Sequence, residues 1–153
     1  MLWKPDVTVA AIIRQQNRYL LVEEYAKNSL VYNQPAGHLE KNESLVNAVK
    51  REVMEETARE FYPEFLTGIY LFSDQQIDTC YLRFCFYGEC SNVNTKQKLD
   101  KEILQTVWMS YEEIKASQDR LRTPLVEKCI SDYLSGQQFH LNVLHDLLPE
   151  INY

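Results

Sequence analysis

Apolar positions come in short runs at the start of the chain and at helical spacing further on. Val7 to Ile13 is β-branched and alanine-rich, with Thr8 its single polar residue, and reads as a buried strand. Gln15-Gln16-Asn17-Arg18 breaks the run as a polar turn. Tyr19 to Tyr25 then reads as a second strand, the hairpin partner of the first. Ala26 to Ser29 is a polar connection, and Leu30-Val31-Tyr32 is a short strand. It leads into Asn33-Gln34-Pro35-Ala36-Gly37, where Pro35-Ala36-Gly37 signals a turn. From about Ser44 to Arg59 the period lengthens. Leu45, Val46, Ala48, Val49 and Val53 fall near helical spacing, with Val46, Val49 and Val53 in one stripe.

Past that helix the strand pattern returns. Phe65 to Ser73 and Cys80 to Glu89 alternate well enough to pair as a hairpin across Asp74 to Asp78. Ser91 to Lys98 is a polar loop, followed by Asp100-Lys101-Glu102 and a short strand at Thr106-Val107-Trp108-Met109. Ser110-Tyr111-Glu112-Glu113 is a capping box that predicts a short helix to about Ser117. Thr123-Pro124 starts another helix, running from Leu125 to Leu134 and stopping at Gly136. Gln137 to Tyr153 has a mixed pattern that assigns no element. Strands flanking helices in this order predict an α+β or α/β/α sandwich. With 153 residues, no repeat and no linker, one domain over 1–153 is expected.

Charge and cysteines narrow the function. The net charge of −6 argues against a nucleic-acid polymer or an anionic membrane as partner, since both call for a basic footprint. It leaves room for a phosphorylated substrate, because a bound metal reverses the local field. Cys80, Cys85, Cys90 and Cys129 form no C-x-x-C pair, so they read as free thiols rather than zinc ligands. The N-terminal residues lack a signal-peptide core and no apolar run is long enough to span a bilayer. A cytoplasmic protein is the expectation.

The chemistry concentrates in the predicted helix. Glu52, Glu55 and Glu56 share one flank, where three carboxylates repel one another and Arg51 offsets only part of the repulsion. Helical glutamates are usually a solvated face, and on charge alone that reading holds. A divalent cation seated on the cluster relieves the repulsion, because hard cations take oxygen ligands and bring phosphate oxygens with them. Spacing decides between the two. Gly37, five residues, Glu43, seven residues, then Arg51-Glu52-Val53-Met54-Glu55-Glu56 resembles the signature of the Nudix hydrolases. The stretch Tyr32 to Glu40, with Pro5, Val7 to Ala10, Leu82-Arg83-Phe84 and Pro124-Leu125-Val126, is similar to one subgroup, the NudJ-type phosphatases.

The resemblance implies an α/β/α sandwich with a mixed β-sheet and a loop-helix-loop catalytic motif. It implies Mg2+ or Mn2+ as cofactor, held by Glu52 and Glu56, with Glu55 as a further ligand or as the base. The backbone at Ala36 or Gly37 would complete the coordination. Arg51 would orient a glutamate and Glu43 would support the loop. Glu102, ahead of the strand at Val107-Trp108, is the distant alternative base, or else a loop charge paired with Lys98 or Lys101. Arg83 and His38 are candidate substrate contacts, with a salt bridge and a structural histidine as the plainer alternatives. The family glycine at the helix end is replaced here by Ala58, followed by Arg59. Alanine adopts positive φ at a cost, so the helix is expected to run on towards Phe61 and stop before Pro63.

For substrate, the subgroup implies nucleoside di- and triphosphates and the pyrophosphate of the thiamine pyrimidine precursor, with orthophosphate released. The absence of proline between Pro63 and Pro124 disfavours an ADP-ribose hydrolase. A hydrolase of ADP-ribose or of dinucleoside polyphosphates, an oxidised-nucleotide scavenger and a non-catalytic sensing module are the alternatives. Metal binding without turnover would mark the module. A monomer or a homodimer is compatible with the sequence.

Overall fold

The computed structural model describes residues 2–26 and 28–149; the last residues of the unassigned tail, 150–153, lie outside them. Strand β1 (Asp6–Ile12) sits inside a mixed four-stranded sheet of order β5-β1-β7-β6, with β5 at Ala36–His38, β6 at Phe61–Asp74 and β7 at Thr79–Cys90. β1 runs parallel to β7 and antiparallel to β5, and β6 and β7 form the expected long hairpin. A second sheet joins β2 (Arg14–Gln15), β3 (Arg18–Ala26) and β4 (Ser29–Asn33), with β8 (Ile103–Ser110) on the other edge of β3.

Helices cover both faces of the mixed sheet. Val49 and Val53 of α1 (Leu45–Thr57) pack with Val9, Ala11 and Phe86 on one face. On the other, Ala10 and Cys85 meet Ile114 of α2 (Tyr111–Ala116) and Val126, Cys129 and Ile130 of α3 (Leu125–Leu134). This is an α/β/α sandwich. Successive residues of β1 point to opposite cores, which is why its run is apolar throughout. The capping box at Ser110 and Glu113 forms.

Four local expectations are corrected. β3 is not the hairpin partner of β1. The turn at Gln16 and Asn17, both at positive φ, folds β3 onto the two-residue β2, and the chain crosses to a second sheet. Pro35-Ala36-Gly37 is not a turn, because Ala36 to His38 runs as a strand against β1. β6 starts at Phe61 and carries Pro63, which its edge position and a register shift at that residue accommodate. Finally, α1 ends at Thr57, and Ala58 takes the left-handed conformation with φ 57°. Phe61 is 1% exposed and already paired in the sheet. The chain must therefore reverse within Ala58 to Glu60, and Phe61 burial outweighs the strain at Ala58.

The tail packs on the core. Phe139 bridges Leu66 at the β6 edge, and Leu141 and Leu144 join the apolar cluster under α1.

Candidate active site

The hydroxyl of Ser44 caps α1 by accepting the Asn47 N–H at 3.1 Å. Burial of Ala48, Val49 and Val53 then fixes the roll of the helix. The next flank round, with Arg51, Glu52, Glu55 and Glu56, faces a cleft of about 580 Å³. Gly37, His38, Arg83 and Glu102 line the same cleft, so it gathers every residue singled out for chemistry.

Arg51 organises this flank. Its Nε and Nη2 donate to the Glu43 carboxylate at 2.7 and 3.0 Å, and Nη1 donates to Glu52 at 2.9 Å and Glu55 at 3.1 Å. Nη2 also donates to the His38 carbonyl at 2.9 Å, joining the helix to β5. All five N–H groups of a guanidinium are thereby engaged. Glu43 in turn accepts the Glu40 N–H at 3.2 Å, closing the loop before the helix. The bonds from Arg51 hold the Glu43 carboxyl below the usual range, and chiefly through Glu43 the Arg51 guanidinium is held more firmly charged.

Gly37 is demanded by close approach. A Cβ there would lie 2.1 Å from Cδ of Glu52, so only glycine lets that buried carboxylate rest against β5. Glu56 lies deeper, 6% exposed, and accepts the Ala36 N–H at 2.8 Å. Burial drives its carboxyl up to about 9 against that bond, with Glu24, Glu52 and Asp100 adding to the rise. Burial also raises Glu52 despite Arg51, and raises Asp100 with help from Glu102.

One carboxylate oxygen each from Glu52, Glu55 and Asp100 lie within 4.8 Å of one another. Asp100 is placed by its own N–H, which donates to the Glu55 carbonyl at 2.9 Å. An all-oxygen set of mutually repelling, partly desolvated carboxylates fits a hard divalent cation and not a soft one. Nudix hydrolases use divalent metals of this kind, and these residues match that need.

The sequence reading missed Asp100 and nominated Glu102, two residues on. Glu102 lines the cleft, is exposed, and has no ion pair among the described residues. It also missed Glu24 and Arg122, an ion pair at 2.6 Å that lines the same cleft. Two consecutive glutamates inside the otherwise apolar Tyr19 to Tyr25 run were the available signal. Arg83 makes no salt bridge among the described residues; its Nη1 donates to Gln34 at 3.2 Å. His38 is largely exposed, with Nε2 3.8 Å from Asp6.

The family model of the NUDIX domain matches residues 4–129, which contain the whole cleft lining. Phosphatase NudJ of Shigella boydii serotype 4 (strain Sb227) is 39% identical over 146 residues, 95% of this chain and 94% of that protein. Phosphatase NudJ of Escherichia coli (strain K12) is 37% identical over 145 residues, with 95% and 94% covered. A solved NUDIX hydrolase from Nitrosomonas europaea superposes with a TM-score of 0.91 at 48% identity, over 94% of this chain and 97% of that one. No described helix is long and apolar enough to cross a membrane. An α/β/α sandwich, a carboxylate-bearing α1 locked to a glycine on β5, and relatives matched along nearly their full length agree: the chain belongs to the Nudix family and is a Nudix hydrolase.

Proposed function

We propose that this hydrolase cleaves phosphoanhydride bonds in nucleoside di- and triphosphates and in related small pyrophosphates, that of the thiamine pyrimidine precursor included, and releases orthophosphate. The observation that carries this reading is the Glu52, Glu55 and Asp100 cluster beside buried Glu56, in a chain similar to phosphatases along 95% of its length.

Glu52, Glu55, Asp100 and Glu56 would hold Mg2+ (or Mn2+) with the backbone of Ala36 or Gly37. Bound there, the cation neutralises phosphate charge and lowers the pKa of a coordinated water. The chain's own residues do the rest. Arg51 keeps Glu52 and Glu55 apart and oriented. Glu55 or Glu102 takes the proton from the attacking water. Arg83 and His38 contact the substrate.

The test is orthophosphate release from a panel of nucleoside di- and triphosphates with and without Mg2+. ADP-ribose, a dinucleoside polyphosphate and the thiamine precursor pyrophosphate complete the panel. Orthophosphate from nucleotides, dependent on metal, is expected. Glu56→Gln keeps an acceptor for the Ala36 N–H and should lower kcat about a hundredfold to a thousandfold. Turnover of the linked dinucleotides alone would overturn the phosphatase reading.

A further inference from the structure

Asp100 reaches the carboxylate cluster from a loop with little packing of its own. The loop joins β7 to β8, and its residues Asn92 to Lys98 are exposed. A segment without buried contacts opens locally at small cost unless hydrogen bonds hold it. Its bonds to the end of α1 fall at three points. Ser91 pairs with Glu60, its N–H donating to the Glu60 carbonyl at 3.0 Å and its Oγ accepting the Glu60 N–H at 2.9 Å. The Asn94 N–H donates to the Ala58 carbonyl at 2.7 Å, and the Asp100 N–H to the Glu55 carbonyl at 2.9 Å. Those two carbonyls are open because α1 ends at Thr57, and a helix leaves its last carbonyls without helical partners.

The path from Ser91 to Asp100 is set by turns. Asn94 accepts the Lys96 N–H on Oδ1 at 3.1 Å and the Gln97 N–H on its carbonyl at 3.0 Å, which turns the chain back towards α1. This turn places Asp100 only if Asn94 itself arrives at Ala58. The arrival depends on how the chain leaves β7, whose pairing with β6 stops at Cys90.

One side chain from the end of α1 touches both strands that carry the loop. Arg59 is half-buried. Its Nη1 donates to the Ser91 carbonyl at 3.0 Å and faces Cys90 Sγ at 3.9 Å. Its guanidinium carbon stands 5.6 Å from the ring centroid of Trp108 on β8. Holding the Ser91 carbonyl fixes the plane of the Ser91–Asn92 peptide, and with it the direction in which the chain sets out for Asn94. We propose that Arg59 is a positioning residue: it sets the exit of the loop from β7 and through it holds Asp100 beside Glu52 and Glu55. This rests on the reading of those carboxylates as a cation site and deepens it.

Two measurements test it, neither of them activity. The first is exchange of the Asp100 amide proton in metal-free protein, followed by NMR. Arg59→Leu keeps an apolar cover on Trp108 and removes the donor. It should speed that exchange about threefold to tenfold relative to the amide of Val53, which is 0% exposed in α1 and corrects for any global loss of stability. The second is the Kd of Mn2+ by calorimetry without substrate, in a cycle with Asp100→Asn. Arg59→Leu should raise Kd about threefold to tenfold in the wild-type background and less than about twofold beside Asp100→Asn. Arg59→Lys retains a donor for the Ser91 carbonyl and should recover most of both effects. An Asp100 exchange rate unchanged relative to Val53 overturns the proposal and leaves Arg59 a packing residue. The same ratio of Kd values in both backgrounds overturns it too. If wild type binds no Mn2+, the cation reading fails instead, and amide exchange alone decides for or against Arg59.

Discussion

The two walls of the cleft are built on opposite terms. On the α1 wall, Arg51 spends every N–H on Glu43, Glu52, Glu55 and the His38 carbonyl. Glu56 accepts the Ala36 N–H. On the strand wall, Thr8, Asn33 and Arg83 each keep a buried polar atom with no hydrogen-bond partner among the described residues. A wall that must gather negative charge is pre-organised, because carboxylates left to themselves would separate or protonate. The strand wall instead carries buried polar groups left unpaired, each at a cost of about 1–3 kcal/mol.

The largest test of the comparison is Arg51→Met. It removes the single cation bonded to Glu43, Glu52 and Glu55 at once. The Glu43 and Glu52 side chains are 15% and 10% exposed, so these two abandoned carboxylates are poorly hydrated, whereas Glu55 at 38% is open to water. A loss of about 2–4 kcal/mol is expected in urea unfolding without metal, with part of it regained on adding Mg2+. A change below about 0.5 kcal/mol would reduce the network to ordinary surface pairing.

The difference between the walls also explains what the sequence showed. α1 was legible because its chemistry is local: Glu52, Glu55 and Glu56 lie on one helical flank, and Gly37, Glu43 and Arg51 carry the spacing that resembles the family signature. The β6–β7 hairpin was legible because periodicity reports it; the order of elements left α+β or an α/β/α sandwich open, and the family resemblance implied the sandwich. On the strand wall Arg83 was named through the family resemblance, but its company was not legible, since Thr8, Asn33 and Arg83 come from three strands in two sheets and meet only through register. Asp100 was passed over because its placement depends on an N–H bond to the Glu55 carbonyl, which no side-chain pattern records. The pairing of β1 with β7 instead of β3 is likewise a long-range choice. A two-residue β2 takes the turn at Gln16 and Asn17 that the hairpin reading gave to β1.

A pH series sharpens the comparison within the acidic wall itself. The Glu56 carboxyl stands at about 9 in the folded chain against an ordinary 4.5. Its protonated form is thus favoured by folding. That contribution is full below about 4.5 and is lost as pH rises towards 9, and the raised Glu52 and Asp100 act in the same direction. Glu43 is depressed, so its contribution has the opposite sign: present above the ordinary carboxylate value and lost on acidification. Metal-free protein should therefore lose thermal stability as pH climbs from about 5 to 9, and the rise in Tm on adding Mg2+ should grow over the same range. Glu56→Gln should flatten the metal-free slope. A metal-free Tm that is level across this range in wild type would mean the Glu56 carboxylate is hydrated and that the cleft floor is wetter than its 6% exposure implies.

The smallest effect belongs to the end of α1, where neither wall is involved. Ala58 sits at φ 57°, its N–H donating to the Met54 carbonyl at 2.9 Å and its carbonyl accepting the Asn94 N–H at 2.7 Å. The left-handed turn is held by those bonds and by Phe61 entering the sheet, not by the residue's own preference. Alanine pays about 1 kcal/mol for that conformation where glycine pays almost nothing. Ala58 is also 2% exposed, so glycine gives up a buried methyl worth about 0.8 kcal/mol. The two terms nearly cancel, and Ala58→Gly should change stability by less than about 1 kcal/mol, a Tm shift of at most about 2–4 °C. Orthophosphate release should stay within about twofold of wild type, because Glu52, Glu55 and Glu56 are set by the Val49 and Val53 packing and by Arg51. A large loss of activity from this exchange would show that the helix end, and not Arg51, fixes the carboxylate wall.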